Sequence, residues 1–168
     1  MLGMVSSYMF KNLNIGALGI KSTFSEAVEL AKVGGFQGLD VDVFELENVL
    51  KTKSADDIKG VLKKNKLKLG GWGLPVEFRK DDETFRKDLK RLPSLAKVAK
   101  NLGCLRVFTW LMPASDTLAF EEHFRLHVER LRAVARVLGD YGCSLGLEFV
   151  GPKTSRLNRK YEFIHTMD

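Results

Sequence analysis

With 168 residues, 45% of them apolar and 29% charged, the chain is long enough to bury the core of one domain, and its composition excludes disordered and fibrous classes. The formal net charge is +6, yet Lys51, Lys53, Lys59, Lys63 and Lys64 fall on helix faces, and no run interleaves Arg/Lys with aromatics as a nucleic-acid groove does. No segment reaches the ~18 apolar residues of a membrane span, and residues 1–10 lack the basic and apolar regions of a signal peptide.

In chain order, residues 12–18 read as a first strand. Thr23 or Ser25 caps the following helix, which turns Ala27, Val28, Leu30 and Ala31 to one side and ends at Gly34-Gly35. Residues 38–43 form the second strand. Ser54 opens a helix to about residue 65, with Asp57 standing where a capping-box acid belongs. The third strand is 67–74, closed by Pro75. A long helix over 82–101 contains Pro93, which is expected to kink or split it. Gly103 ends that helix. The fourth strand is 105–110, closed by Met112-Pro113. A helix over 118–138 carries Phe120, Phe124, Val128, Leu131, Ala135 and Leu138 as its expected buried stripe. The fifth strand, Leu145-Gly146-Leu147-Glu148-Phe149-Val150, is stopped by Gly151-Pro152. Thr166 has the character of a cap for a further helix. Cys104 and Cys143 each follow a glycine and open an apolar run, so they read as buried thiols of a reducing compartment, with the cytoplasm as default.

Strand and helix alternate four times before the fifth strand, which argues for an α/β chain with a parallel sheet and crossover helices. An open doubly wound sheet and a (β/α)8 barrel both fit that order. No Gly-x-Gly-x-x-Gly turn follows the first strand, so a dinucleotide fold has no positive support. Asp40, Asp42 and Glu148 sit on the strand faces opposite the Leu/Val faces, and polar groups at strand ends are what a barrel site requires. The expectation is a partial (β/α)8 TIM barrel of about five parallel strands and four crossover helices. A complete barrel takes ~250 residues.

Two stretches carry a resemblance: Leu145-Gly146-Leu147-Glu148-Phe149-Val150-Gly151-Pro152 with the later Tyr161-Glu162-Phe163-Ile164-His165-Thr166, and the second-strand entry Gly35-Phe36-Gln37-Gly38-Leu39-Asp40. Together they resemble the sugar phosphate isomerase/epimerase superfamily, the xylose-isomerase-like TIM barrels, over the first five of eight units. The group also includes inosose dehydratases, hydroxypyruvate isomerases, ketose 3-epimerases and the endonuclease IV branch. The resemblance implies a divalent metal, Mn2+, Mg2+ or similar. It also implies four protein ligands, and Glu148 matches the first of them. The other three, an Asp, a His and a Glu, would lie beyond Asp168. The expected reading is therefore a C-terminally truncated, inactive piece of an isomerase, epimerase or dehydratase that moves a proton α to a carbonyl.

Each candidate has a second reading. Glu148 is a metal ligand by resemblance, or a carboxylate paired with a cation such as Arg106. Asp40 and Asp42 orient substrate, or close hydrogen bonds at strand ends. Trp72 and Trp110 form a wall on which a sugar stacks, or belong to core and rim. Arg156 and Lys153 pair with an anionic group, or form a basic loop. Glu77 reads as a solvated loop acid. His123 and His127 share a helix face, but Phe124 stands where the zinc-protease motif needs Glu, so a surface or half-buried pair is expected. His165 has no assigned role. The ends of the third and fourth strands carry Trp72 and Trp110 with no histidine nearby, which disfavours endonuclease IV-like DNA repair. The expected partner is a small-molecule sugar, with neither a membrane nor a nucleic acid. A non-catalytic partial-barrel scaffold, self-associating as a homo-oligomer through exposed barrel edges, is the alternative.

Overall fold

The computed structural model describes residues 9–167; most of the N-terminal stretch read for a leader, residues 1–8, lies outside them. The chain divides into two units, Met1–Gly71 and Trp72–Asp168.

In the first unit, β1 (Asn12–Leu13) pairs in parallel with β2 (Gly38–Val41), Asn12 opposite Gly38 and Leu13 opposite Leu39. The expected strand of residues 12–18 is only these two residues long. The Asn14 carboxamide accepts from the Ala17 amide at 3.0 Å, and the backbone turns into a 3-10 segment at Gly16–Leu18. Helix α1 (Phe24–Val33) opens on a complete capping box of Thr23 and Glu26 and buries Phe24, Ala27, Val28 and Ala31. Sequence reading overlooked α2 (Val43–Val49). Asp42 caps it, accepting from the Phe44 amide at 2.8 Å, while Val43 and Leu46 enter the core. Helix α3 (Ala55–Lys64) has the expected Ser54–Asp57 capping box and buries Ile58 and Leu62. Strand β3 (Lys68–Gly73) starts where the Lys68 amide donates to the Gln37 carbonyl at 3.0 Å.

In the second unit, the end of β3 pairs in parallel with β4 (Arg106–Leu111), Trp72 opposite Val107. Helix α4 (Asp82–Asn101) runs through Pro93 as one helix, so the proline does not split it. A helix-interior proline costs about 3 kcal/mol. Here Leu92, Leu95, Ala96 and Ala99 around it are all buried, and that packing outweighs the penalty. Strand β5 (Ala114–Ser115) follows, then α5 (Phe120–Asp140), which packs against α4. The buried face of α5 is His127, Arg130, Leu131, Val134 and Leu138. Leu131 and Leu138 were expected there, but Phe120 and Phe124 are 45% and 42% exposed. Strand β6 (Ser144–Phe149) pairs in parallel with β4 over its whole length. Strand β7 (Tyr161–Glu162) returns antiparallel to β5.

The strands of the parallel sheet hydrogen-bond in the order β1-β2-β3-β4-β6, so the expected α/β architecture is present, with one helix more than anticipated. Cys104 and Cys143 are buried, and neither forms a disulfide. Among the described residues, no helix is long and apolar enough to cross a membrane.

Candidate functional site

Strand alternation sorts β4 into two faces. Val107, Thr109 and Leu111 are buried, while Arg106 and Trp110 are exposed and Phe108 is half-buried between them. The register with β6 places Trp110 opposite Glu148 and Phe108 opposite Gly146. An indole that is 51% exposed and an exposed carboxylate thus stand side by side on one face, near the C-terminal ends of adjacent strands. Directly opposed residues in a sheet have Cβ atoms ~5 Å apart. Glu148 makes no ion pair among the described residues, so the Arg106 alternative has no support; Arg106 faces Ser144 instead.

Arg79, which no motif singles out, supports the Trp110 side of this pair. It lies in the loop between β3 and α4. Its guanidinium sits 4.1 Å from the Phe78 ring centroid and 5.3 Å from the Trp110 ring, and Nη2 donates to the Trp110 carbonyl. Burial lowers its pKa from the usual arginine value, opposed by Glu77. The loop is tied down by Arg130 of α5, only 5% exposed, which donates to the Phe78 carbonyl at 2.9 Å and also to the Lys80 carbonyl and the Asp82 carboxylate.

Trp72 does not stand beside Trp110. It is 0% exposed, and its indole N–H donates to the Cys104 carbonyl at 3.1 Å. Its register with Val107 puts it on the buried side of the sheet, so it takes the core role.

In the first unit, Asp40 is half-buried and accepts from Asn12 Nδ2 at 2.7 Å. Burial raises its pKa above the usual carboxylate value, against hydrogen bonds from Asn12 and the Gly71 amide. The Asn12 carboxamide lies flat on Gly70, where a Cβ would come within 2.6 Å of Asn12 Cγ. Asp42 is consumed as the α2 cap.

Arg156 donates to the Gly151 carbonyl at 2.8 Å and lies 3.9 Å from the Glu162 carboxylate, so its described contacts are to its own loop and to β7. Lys153 is exposed in a 3-10 turn, and Glu77 is an exposed loop acid whose amide donates to Asp88 at 3.0 Å. Of the histidine pair, His123 is half-buried, as expected, and His127 is more buried than expected. His127 is 4% exposed; its Nδ1 is 2.9 Å from the His123 carbonyl, and its ring packs on Phe78, His123 and Phe163. Burial pushes its pKa down to about 4. His165 Nδ1 is 2.8 Å from the Phe163 carbonyl.

The described residues contain no group of three or more His, Cys, Asp or Glu able to hold a metal ion. A hard cation needs several oxygen ligands. Glu148 alone therefore does not fit the divalent ion implied by the resemblance.

No family model matches the chain, and no curated protein matches it. Solved structures do. A xylose isomerase domain protein from Alicyclobacillus acidocaldarius superposes with TM-score 0.76 at 28% identity, over 95% of this chain and 56% of that one. The IolI protein with a bound zinc atom matches with TM-score 0.69 at 21% identity, over 85% of this chain and 52% of its own. D-psicose 3-epimerase from Clostridium cellulolyticum H10, solved with D-tagatose, matches with TM-score 0.65 at 16% identity, over 92% and 55%. This chain therefore spans just over half the length of each of these proteins. It is similar to the xylose-isomerase-like TIM-barrel proteins and carries their fold over that part of their length.

Proposed function

We propose that this chain contributes the sugar-facing wall of an isomerase or epimerase that moves a proton α to a carbonyl. Glu148 is the proton-handling carboxylate and Trp110 the face against which the sugar lies. The observation that carries this reading is the register of Trp110 with Glu148, both exposed on one sheet face. The sugar-epimerase and xylose-isomerase-domain neighbours support the substrate class.

The chemistry follows from the two side chains. C–H bonds of a sugar present an apolar patch to the indole face. A carboxylate oxygen beside that face takes the proton from the carbon next to the carbonyl, and the C–H electron pair moves to form the enolate. When the proton of the adjacent hydroxyl passes to the former carbonyl oxygen and the Glu148 carboxylic acid returns its proton to the former carbonyl carbon, the sugar is isomerised; when a proton from water reaches the opposite face of the original carbon and Glu148 releases its own proton to water, the sugar is epimerised.

Glu148 is the only position that matches the four-ligand set implied by the resemblance. We accordingly propose that the 168-residue chain alone binds Mn2+ weakly and does not turn over. Calorimetric titration with Mn2+ tests this: weak binding unaffected by Glu148→Gln supports it, and tight binding abolished by Glu148→Gln contradicts it. The sugar platform is tested separately by tryptophan fluorescence with ketohexoses, since Trp110 is the exposed tryptophan and Trp72 the buried one.

A further inference from the structure

A run of touching rings links the interior of the second unit to Trp110. Phe163, 2% exposed, follows β7, and its amide donates to the Pro113 carbonyl at 2.8 Å. Its ring centroid lies 4.3 Å from that of His123 and 5.0 Å from that of His127. The two imidazoles stand 4.3 Å apart at 82°. His127 meets Phe78 edge-on at 5.4 Å, and Phe78 carries the Arg79 guanidinium that lies against the indole. Every one of these groups belongs to the second unit, and the described residues alone bury His127.

The cluster is unbalanced in hydrogen bonding and in charge. The His123 carbonyl can only accept, so His127 Nδ1 carries the proton and Nε2 is a bare lone pair. His127 Nε2, His123 Nδ1 and Arg79 Nε are buried with no hydrogen-bond partner among the described residues. The charges of Arg79 and Arg130 add to burial in opposing a proton on His127, and that of Arg79 does so at His123. No described ion pair involves a histidine. Asp82 takes Arg130, Glu162 faces Arg156, and Glu77 is exposed and acts on Arg79. Glu121, Glu122, Arg125 and Glu129 of α5 are exposed, and His165 Nδ1 lies at the Phe163 carbonyl. A proton on either ring thus adds a cation to a shielded site with no carboxylate paired to it. Arg79 is the group that yields. Arg130 serves three acceptors, whereas Arg79 has one described hydrogen bond, to the Trp110 carbonyl. We infer that His123 and His127 form an acid-sensitive catch on the indole: neutral, they let Arg79 lie against Trp110, and protonated, they drive it away. The sugar-facing reading of Trp110 decides only what this catch regulates.

NMR of the intact, sugar-free chain tests the catch, following histidine C2–H and tryptophan indole N–H resonances from about pH 8 to about pH 5. The Trp110 indole resonance is expected to move with the midpoint of His123, which burial and Arg79 hold below the usual histidine value. The Trp72 indole, bound to the Cys104 carbonyl, is expected to stay in place. His123→Phe is expected to abolish the movement. Coupling is reciprocal, so Arg79→Met is expected both to still the Trp110 resonance and to raise the His123 midpoint by about 1 pH unit. This second variant decides the matter should His123→Phe fail to fold. A Trp110 resonance that does not move, or moves alike in His123→Phe, would overturn the inference, as would a His123 midpoint unchanged in Arg79→Met. Failure of ketohexoses to bind would remove the proposed function and leave this coupling standing.

Discussion

Replacing Arg130 by methionine removes the guanidinium but keeps an unbranched stem in its place. The side chain is 6% exposed and serves three acceptors: the Phe78 and Lys80 carbonyls and Asp82. Asp82 is 67% exposed and rehydrates, so that pair contributes little. Lys80 is exposed, and its carbonyl also finds water. Phe78 is 0% exposed, and its carbonyl loses a charge-assisted bond of about 1.5–3 kcal/mol without replacement. The contact of the guanidinium with the Phe85 ring, 5.0 Å from its centroid, adds roughly 0.5–1 kcal/mol. The expected loss is about 3 kcal/mol, a large share of the ~5–15 kcal/mol typical of a domain. Urea unfolding at pH 7, read by circular dichroism, should show a lower midpoint at unchanged slope, while exposed Arg132→Met stays within ~0.5 kcal/mol. Acrylamide should also quench Trp110 differently, since the loop that Arg130 fixes carries Arg79. A loss below about 1 kcal/mol would refute the assignment of Arg130 as the tie of this loop.

Stability should also depend on His127. Its folded pKa of about 4 lies below the usual 6.5, so the unfolded chain binds more protons between those values. Stability is then full above pH 6.5 and falls as the pH drops toward 4, by about 2 kcal/mol from pH 7 to pH 5. His127→Phe should flatten that part of the profile in denaturant titrations, and an unchanged slope would contradict the burial argument. Trp72→Phe leaves the Cys104 carbonyl without its indole donor and opens a gap in a fully buried site; chemical denaturation should register a loss of about 2 kcal/mol. Gly70→Ala drives a methyl into the Asn12 carboxamide. It should cost about 1–3 kcal/mol and, by breaking the Asn12–Asp40 bond, shift the Asp40 titration seen by carboxyl NMR.

Much of the fold was legible because its signals are local. Thr23 with Glu26 and Ser54 with Asp57 announce two helix starts, and both capping boxes form. What escaped depends on tertiary information. Leu39-Asp40-Val41-Asp42-Val43 alternates like one strand, yet the chain turns into α2 because the Asp42 side chain takes the Phe44 amide. Gly70-Gly71-Trp72-Gly73 has no side chains to reveal which face Trp72 takes; its register with β4 decides that. The buried side of α5 includes His127 and Arg130 because loop carbonyls and rings elsewhere in the second unit receive them. No helical periodicity could show this. Glu148 and Trp110 were legible as strand-end residues, whereas their pairing and the Arg79 beneath the indole required the register and the loop.

Trp110 and Glu148 are proposed to form a sugar-facing pair. The most direct test is a fluorescence titration of the intact chain with D-psicose, D-fructose and D-tagatose, with Trp110→Phe as control. A saturable change in tryptophan emission in the millimolar range, absent in Trp110→Phe and weakened in Glu148→Gln, is the predicted result, since millimolar dissociation corresponds to only about 4 kcal/mol. No saturable response to any of the three sugars, or a response that survives in Trp110→Phe, would contradict it.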